Sequence, residues 1–306
     1  MAPEVFQRWT AGAGESRPTA IRMSASADLT DVVVSREFAT SRDGTRIPLS
    51  ILRSRRSAPD GSAPTLLYGY GGYGISLAPD FNPVVLAWLE QGGTYVVANI
   101  RGGGEYGDAW HRAGHLTRKQ TVFDDFIACA EHLVGAGHAT PDRLAIMGAS
   151  NGGLLMGAVL TQRPELFRAV ACDVGVLDGL RVELDDNGAF NVTEFGSTAD
   201  PAQFEAIHAY SPVHRVRDGV AYPAVLLSTG ANDPRVDPYH SRKMAARLQA
   251  ASSSGRPVLL RTTANAGHGM GSSLDERVSL RADQFAFLLD QLGVTVRPID
   301  GATPQG

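Results

Sequence analysis

Short apolar runs punctuated by glycine alternate along this chain with segments whose apolar residues recur every three or four positions. The runs Pro64–Tyr68, Tyr95–Ile100, Arg143–Met147, Ala169–Val174, Ala224–Ser228 and Val258–Arg261 are short and continuous. That pattern predicts strands buried on both faces. Between them, Val122–Leu133 carries Val122, Phe126, Ile127, Ala130 and Leu133 at helical steps. Pro238–Leu248 and Arg277–Leu292 follow the same spacing, and the second directs Leu280, Phe285, Phe287, Leu288, Leu289 and Leu292 to a core. Upstream, two β-branched runs, Val32–Phe38 and Arg46–Leu52, flank Asp43-Gly44 and predict a hairpin. The first thirty residues are weakly periodic and end in a linker-like stretch from Ser24 to Asp28. Strands that alternate with helices imply right-handed crossovers, so the predicted class is α/β with a mainly parallel sheet.

Composition then removes several functions. The chain has 306 residues and a net charge of −4 without a basic block, which gives no electrostatic footprint for nucleic acid. Cys129 and Cys172 are too few for a disulfide framework or a four-ligand zinc site, and are expected as buried small hydrophobes. No apolar stretch approaches a membrane span and Met1–Asp31 lacks an apolar signal core, so a cytoplasmic setting is expected. The 34 glycines are the compositional oddity, and their clusters mark the chemistry.

One cluster follows the run Arg143–Met147: Gly148-Ala149-Ser150-Asn151-Gly152-Gly153, then a stretch of small residues. A serine set on a tight strand-to-helix turn has a strained backbone whose neighbours must lack bulk. Such a turn raises the Ser150 hydroxyl above the sheet's carboxyl edge. It also opens the next helix with the Asn151 backbone N–H, which can face a developing oxyanion. A serine nucleophile needs a base, and the base needs an orienting carboxylate. In this type of sheet the chain order is serine, acid, histidine. After Ala224–Ser228 the chain offers Asp233 and Asp237, and Asp233 is favoured because Asp237 precedes Pro238 and suits a helix cap. After Val258–Thr262, His268 stands between glycines in Ala266-Gly267-His268-Gly269. The other seven histidines read as surface or packing residues with no pair at metal-ligand spacing. The early strand leads into Tyr68-Gly69-Tyr70-Gly71-Gly72-Tyr73, where a phenol could donate to the same oxyanion. A phosphate cradle is not expected there, because no Lys-Ser/Thr pair follows. The chemistry calls for neither metal nor cofactor.

Taken together, these segments resemble the catalytic domain of the prolyl oligopeptidase family. Further matching segments are Ala98-Asn99-Ile100-Arg101-Gly102-Gly103-Gly104-Glu105-Tyr106-Gly107, Lys119-Gln120 with Phe123-Asp124-Asp125-Phe126, and Gln162 to Phe167. Tyr210-Ser211-Pro212 and Asn232-Asp233-Pro234-Arg235-Val236 complete the set. The resemblance implies an α/β-hydrolase fold, a Ser150–Asp233–His268 triad, and an oxyanion hole from Tyr70 and the Asn151 amide. It also implies that Arg235 binds a substrate carbonyl before the scissile residue. Tyr73, Asn151, Val236 and Phe195 then lie at or beside the pocket for that residue. Members cleave short peptides, often after proline, beneath a β-propeller.

Two departures follow. Only Met1–Thr30 precedes the hydrolase pattern and resembles the last propeller strands or a tether, so the expectation is a fragment or a hydrolase without the family's size filter. The expected organisation is 1–30 as that tether, 31–296 as the hydrolase domain and 297–306 as a tail. The family's proline-stacking tryptophan is replaced by Asn191, with Phe190 next to it as a stand-in. Triad chemistry is therefore better founded than proline specificity. The substrate expected is a short peptide, with small esters as the alternative. A non-catalytic interaction domain on the same scaffold would have lost a triad member, and none is lost. Apolar surface at the site's mouth, including Tyr73 and Phe190, could be covered by self-association.

Overall fold

Six glycine-bounded apolar runs become neighbours in one eight-stranded sheet of the computed structural model. It describes residues 5–12, 14–22, 30–57, 60–78, 82–269 and 272–297. The linker-like stretch at Ser24–Asp28 and all but the first residue of the expected tail lie outside them. In chain order the strands are β1 Val5–Trp9, β2 Ser16–Arg22, β3 Val32–Thr40, β4 Arg46–Ser54, β5 Thr65–Tyr68, β6 Thr94–Ala98, β7 Leu144–Ala149, β8 Ala169–Asp173, β9 Ala224–Gly230 and β10 Val258–Thr263. The helices are α1 Pro83–Glu90, α2 Asp108–Arg112, α3 Gln120–Gly135, α4 Asn151–Gln162, α5 Gly188–Phe195, α6 Pro201–Tyr210, α7 Pro212–Arg215, α8 Tyr239–Ala251 and α9 Leu274–Gln291.

The sheet order is β10-β9-β8-β7-β5-β6-β4-β3. The strands from β10 to β6 are parallel, while the β3–β4 hairpin and the β4–β6 pair are antiparallel. Helices cover both faces, as predicted. One core gathers Phe123, Phe126, Leu155 and Leu248 from α3, α4 and α8, and the other gathers Trp88, Phe285 and Leu288 from α1 and α9. The chain winds outward in opposite directions from β5 and β7, so the loops leaving these adjacent strands open a crevice at their carboxyl ends.

The expected hairpin forms with Asp43 and Gly44 at its tip. Three expectations need correction. Val258–Arg261 is not buried on both faces, because β10 is the terminal strand, and Leu259 and Leu260 are 48% and 36% exposed. The last helix starts earlier than its apolar spacing implies. A capping box between Ser273 and Glu276 sets its origin. Within it Leu280 and Phe287 are only half-buried, and polar Gln284 is buried in their stead. Among the first thirty residues, β1 and β2 pair as a separate antiparallel ribbon that exposes Phe6, Trp9 and Ile21.

One polar network ties the hairpin to the crevice. Arg101, after β6, donates from Nη2 and Nε to Asp125 of α3 (2.6 and 2.9 Å) and from Nη1 to Asp43 (2.6 Å). Ser41 donates to the same Asp125 carboxylate at 2.6 Å. Asp125 is fully buried and, among the described residues, Arg101 is its salt-bridge partner. Removing one partner of a buried pair leaves a bare charge in a low dielectric. Arg101→Met is expected to destabilise the fold by about 3 kcal/mol in urea unfolding. A loss below about 1 kcal/mol would place the network among the weak surface pairs.

Candidate active site

The strand-to-helix turn after β7 is as tight as its spacing demands. Ser150 has φ 59° and ψ −118°, a left-handed backbone that costs an L-residue about 1–3 kcal/mol. Its N–H donates to the Asp173 carbonyl at the end of neighbouring β8 (2.9 Å), and its carbonyl accepts from Leu154 of α4. A Cβ on Gly148 would stand 2.4 Å from the Gly152 carbonyl oxygen, and one on Gly153 would stand 2.4 Å from Cα of Gly175. These contacts permit no side chain. The N–H groups at the start of α4, that of Asn151 first, have no acceptor within the helix.

The predicted partners meet at this turn. His268 Nε2 lies 2.9 Å from Ser150 Oγ, and its Nδ1 lies 2.7 Å from Asp233 Oδ2. An ionised Asp233 accepts only, so Nδ1 carries the ring proton and Nε2 is free to accept from the hydroxyl. The other Asp233 oxygen, Oδ1, accepts the backbone N–H groups of Arg235 (2.9 Å) and Val236 (3.0 Å). Burial would push the Asp233 carboxyl up, but these hydrogen bonds and that from His268 outweigh it and hold the group below its ordinary range. Asp237, the other candidate acid, points away and accepts from the Tyr239 N–H at the start of α8. The histidine loop is stitched to the aspartate loop by Asn232 N–H on the Ala266 carbonyl and Ala231 N–H on the Thr263 carbonyl. Gly230 and Gly267 approach so closely that a Cβ on the former would lie 2.3 Å from the latter's oxygen.

Beside Ser150 is a cavity of about 150 Å³, lined by Tyr70, Tyr73, Phe190, Asn191, Arg235 and Val236 among others. Tyr70, on the loop after β5, comes within hydrogen-bonding reach of Ser150; its burial pushes the phenol up, so it stays a neutral donor. The Asn151 side chain donates to the Tyr70 carbonyl (2.6 Å) and fixes that loop against α4. Tyr73 also has a left-handed backbone (φ 55°), and its ring stacks on Phe190 at 5.3 Å, 4° from parallel. The Tyr73 hydroxyl donates to Asn191 Oδ1 at 2.9 Å, while Asn191 Nδ2 is buried with no partner among the described residues. Arg235 is exposed and, among the described residues, has no carboxylate within salt-bridge distance.

Phe195 lies beside the pocket and not on its lining. It is buried behind Tyr73, edge-on at 5.9 Å, because α5 turns it into the core, so it backs the pocket wall instead of lining it. The reading of the sequence missed Val176 and Ile75, which line the cavity, and the buried Lys119–Glu194 pair behind it. Val176 could have been found from topology, since it follows the strand adjacent to β7. A larger hollow of about 260 Å³ between α1, α9 and the sheet holds Tyr68, Tyr95 and Arg281 but none of the three linked groups.

With that geometry in hand, the comparisons with known proteins are consistent. The model of the prolyl oligopeptidase family matches residues 79–295. A prolyl endopeptidase of Elizabethkingia miricola is 46% identical over 258 residues, 84% of this chain and 37% of that protein. A solved prolyl endopeptidase superposes with a TM-score of 0.89 at 45% identity, covering 92% of this chain and 42% of that one. Oligopeptidase B from Leishmania major gives 0.91 at 33% identity, covering 96% and 42%. The chain thus spans little more than a third of the length of the curated relatives it matches.

The depressed Asp233 carboxyl carries a signed consequence. Its folded value lies below the ordinary 3.8, so its contribution to stability is present above that value and is lost as the pH falls through the lowered one. Asp233→Asn should therefore lose less stability than the wild type between pH 6 and pH 3 in urea titrations. Equal losses would show that the aspartate is not held by these bonds.

Proposed function

The chain belongs to the prolyl oligopeptidase family, and from that premise we propose that it is a serine peptidase domain that cleaves short peptides through an acyl-enzyme on Ser150. The observation that carries this reading is the unbroken relay from Ser150 Oγ through His268 to an Asp233 oriented by two backbone amides. In it, His268 Nε2 takes the hydroxyl proton as Oγ attacks the scissile carbonyl carbon. Asp233 holds the ring and stabilises the imidazolium. The oxyanion receives the Tyr70 hydroxyl and the Asn151 N–H, each such donor being worth about 3 kcal/mol. The imidazolium then protonates the leaving amine. A water, deprotonated by the same nitrogen, attacks the ester carbonyl; collapse of the second tetrahedral intermediate returns the proton to Oγ and releases the acid.

Substrate reading follows the cavity. Arg235, free of carboxylates and at the cavity's edge, is assigned to a carbonyl before the scissile residue. Tyr73, Phe190, Val236 and Asn191 are assigned to the scissile residue's side chain. Asn191 offers an amide where proline stacking would need a ring, which supports a preference for small residues over strict proline selection. A cytoplasmic setting belongs to the same reading, in keeping with two buried cysteines that are both free.

Ser150→Ala should abolish turnover of a blocked dipeptide anilide and labelling by a fluorophosphonate probe. Labelling that persists at another serine would end the assignment. A peptide-library profile should show cleavage after alanine within about tenfold of proline, with Asn191→Trp shifting the ratio toward proline. Faster turnover of short nitrophenyl esters with no peptide cleavage would favour an esterase instead.

A further inference from the structure

The Lys119-Gln120 segment has no part in the chemistry above, yet Lys119 is among the most deeply buried side chains, 1% exposed. Its Nζ donates to Glu194 Oε1 of α5 at 2.7 Å and to the Gly71 carbonyl at 3.1 Å. It also lies over the Phe195 ring, 5.2 Å from the centroid. The second Glu194 oxygen faces His111 Nε2 at 2.8 Å, and the carboxylate also meets the Tyr73 backbone N–H. Gly71 and Tyr73 follow Tyr70 on the same loop. Three main-chain positions within four residues are therefore held by side chains from other elements: Tyr70 by Asn151, Gly71 by Lys119 and Tyr73 by Glu194.

Steric fit explains why the grip must act on the main chain. A Cβ on Gly71 would lie 2.4 Å from Val122, and one on Gly72 would lie 2.5 Å from the Asn151 amide, so the loop has no side chains there by which packing could fix it. A buried ion pair is a poor source of stability, since desolvation cancels most of its attraction. What it does supply is direction: an ammonium and a carboxylate, each satisfied in one geometry only. An oxyanion donor needs that, because its benefit depends on lying about 3 Å from the developing charge.

We propose that Lys119 and Glu194 are positioning residues that hold the loop so that the Tyr70 hydroxyl faces the oxyanion, and that they tie this loop to the pocket wall on α5. The proposal rests on the acyl-enzyme reading given above. The test is a cycle of variants assayed for kcat and KM on a blocked peptide anilide: Tyr70→Phe, the apolar replacement Lys119→Met with Glu194→Leu, and all three together, with melting curves to establish folding. In the wild type Tyr70→Phe should lower kcat roughly 100-fold. In the apolar background, where kcat is already down by a similar factor, it should cost less than about threefold, because the misplaced hydroxyl no longer contributes. A full 100-fold cost in both backgrounds would overturn the proposal and leave the acyl-enzyme reading intact. No cost of Tyr70→Phe in the wild type would instead sink the oxyanion role from which the proposal starts. Should the apolar pair fail to fold, Lys119→Met alone, which leaves Glu194 paired with His111, makes the same comparison.

Discussion

The backbone of Ser150 can hold its left-handed conformation only because four glycine positions around it carry no Cβ. Gly148 meets Gly152, Gly152 meets the Gly69 carbonyl, and Gly153 meets Gly175, all at distances that exclude a methyl group. The hydrogen bond from Ser150 N–H to the Asp173 carbonyl then locks the turn to β8. Every other part of the site is placed relative to that turn. Because β5 and β7 are adjacent and the chain winds away from them in opposite directions, the tyrosine loop after β5 and the serine after β7 face each other across one crevice. Because β8, β9 and β10 follow in order on the other side, the acid arrives on the loop after β9 and the histidine on the loop after β10. The topology does the converging, and the glycines make it sterically possible.

The features legible in the sequence were those encoded over a few consecutive residues. The elbow, the hairpin at Asp43-Gly44 and the order of serine, acid and histidine each depend on local spacing and a known chain order. The preference for Asp233 over Asp237 rests on local signals too: Asp237 precedes Pro238 and accepts the Tyr239 N–H at a helix start. What stayed hidden depends on sheet order or on pairs distant in the chain. An apolar run such as Val258–Arg261 reads alike in the middle of a sheet and at its edge; only the position of β10 leaves Leu259 exposed. Lys119 and Glu194 are 75 residues apart and each, read singly, suggests a solvated surface charge. Phe195 resembles a pocket residue until the turn of α5 rotates it behind Tyr73.

Buried charge is concentrated in the loops around the crevice and in the helices that face them. Arg101 joins Asp125 and Asp43, Lys119 joins Glu194, and Asp185 accepts from Tyr239 (2.9 Å) and pairs with fully buried His240 (2.9 Å). His240 in turn accepts the Asp178 backbone N–H at Nδ1, which fixes its neutral tautomer with the proton on Nε2. Loops carry main-chain donors and acceptors that no ladder satisfies, so when they are buried their polar groups need side-chain partners. Several of those partners are ionised, Lys119 and Asp233 among them, which makes their bonds stronger and more directional than neutral ones. The result is a site whose loops are held by geometry in place of regular secondary structure.

That support is unequally distributed across the relay. The serine sits at the end of a central strand, between largely buried β7 and α4, and its turn is fixed by several backbone contacts. The histidine follows β10, the sheet's exposed edge, and its loop is attached to the rest mainly through Asn232, Ala231 and the carboxylate of Asp233. Local stability follows the density of such contacts, so opening fluctuations should concentrate at the histidine and leave the elbow untouched. The nucleophile is thus held by the centre of the sheet, whereas His268 is oriented by an Asp233 turn that the Arg235 and Val236 amides close. The same turn presents Arg235 to the cavity, so on the proposed reading a substrate carbonyl bound there would favour the closed turn that seats the base. Substrate binding and assembly of the relay would then be coupled through five consecutive residues, Asn232 to Val236, without movement of the sheet beneath them.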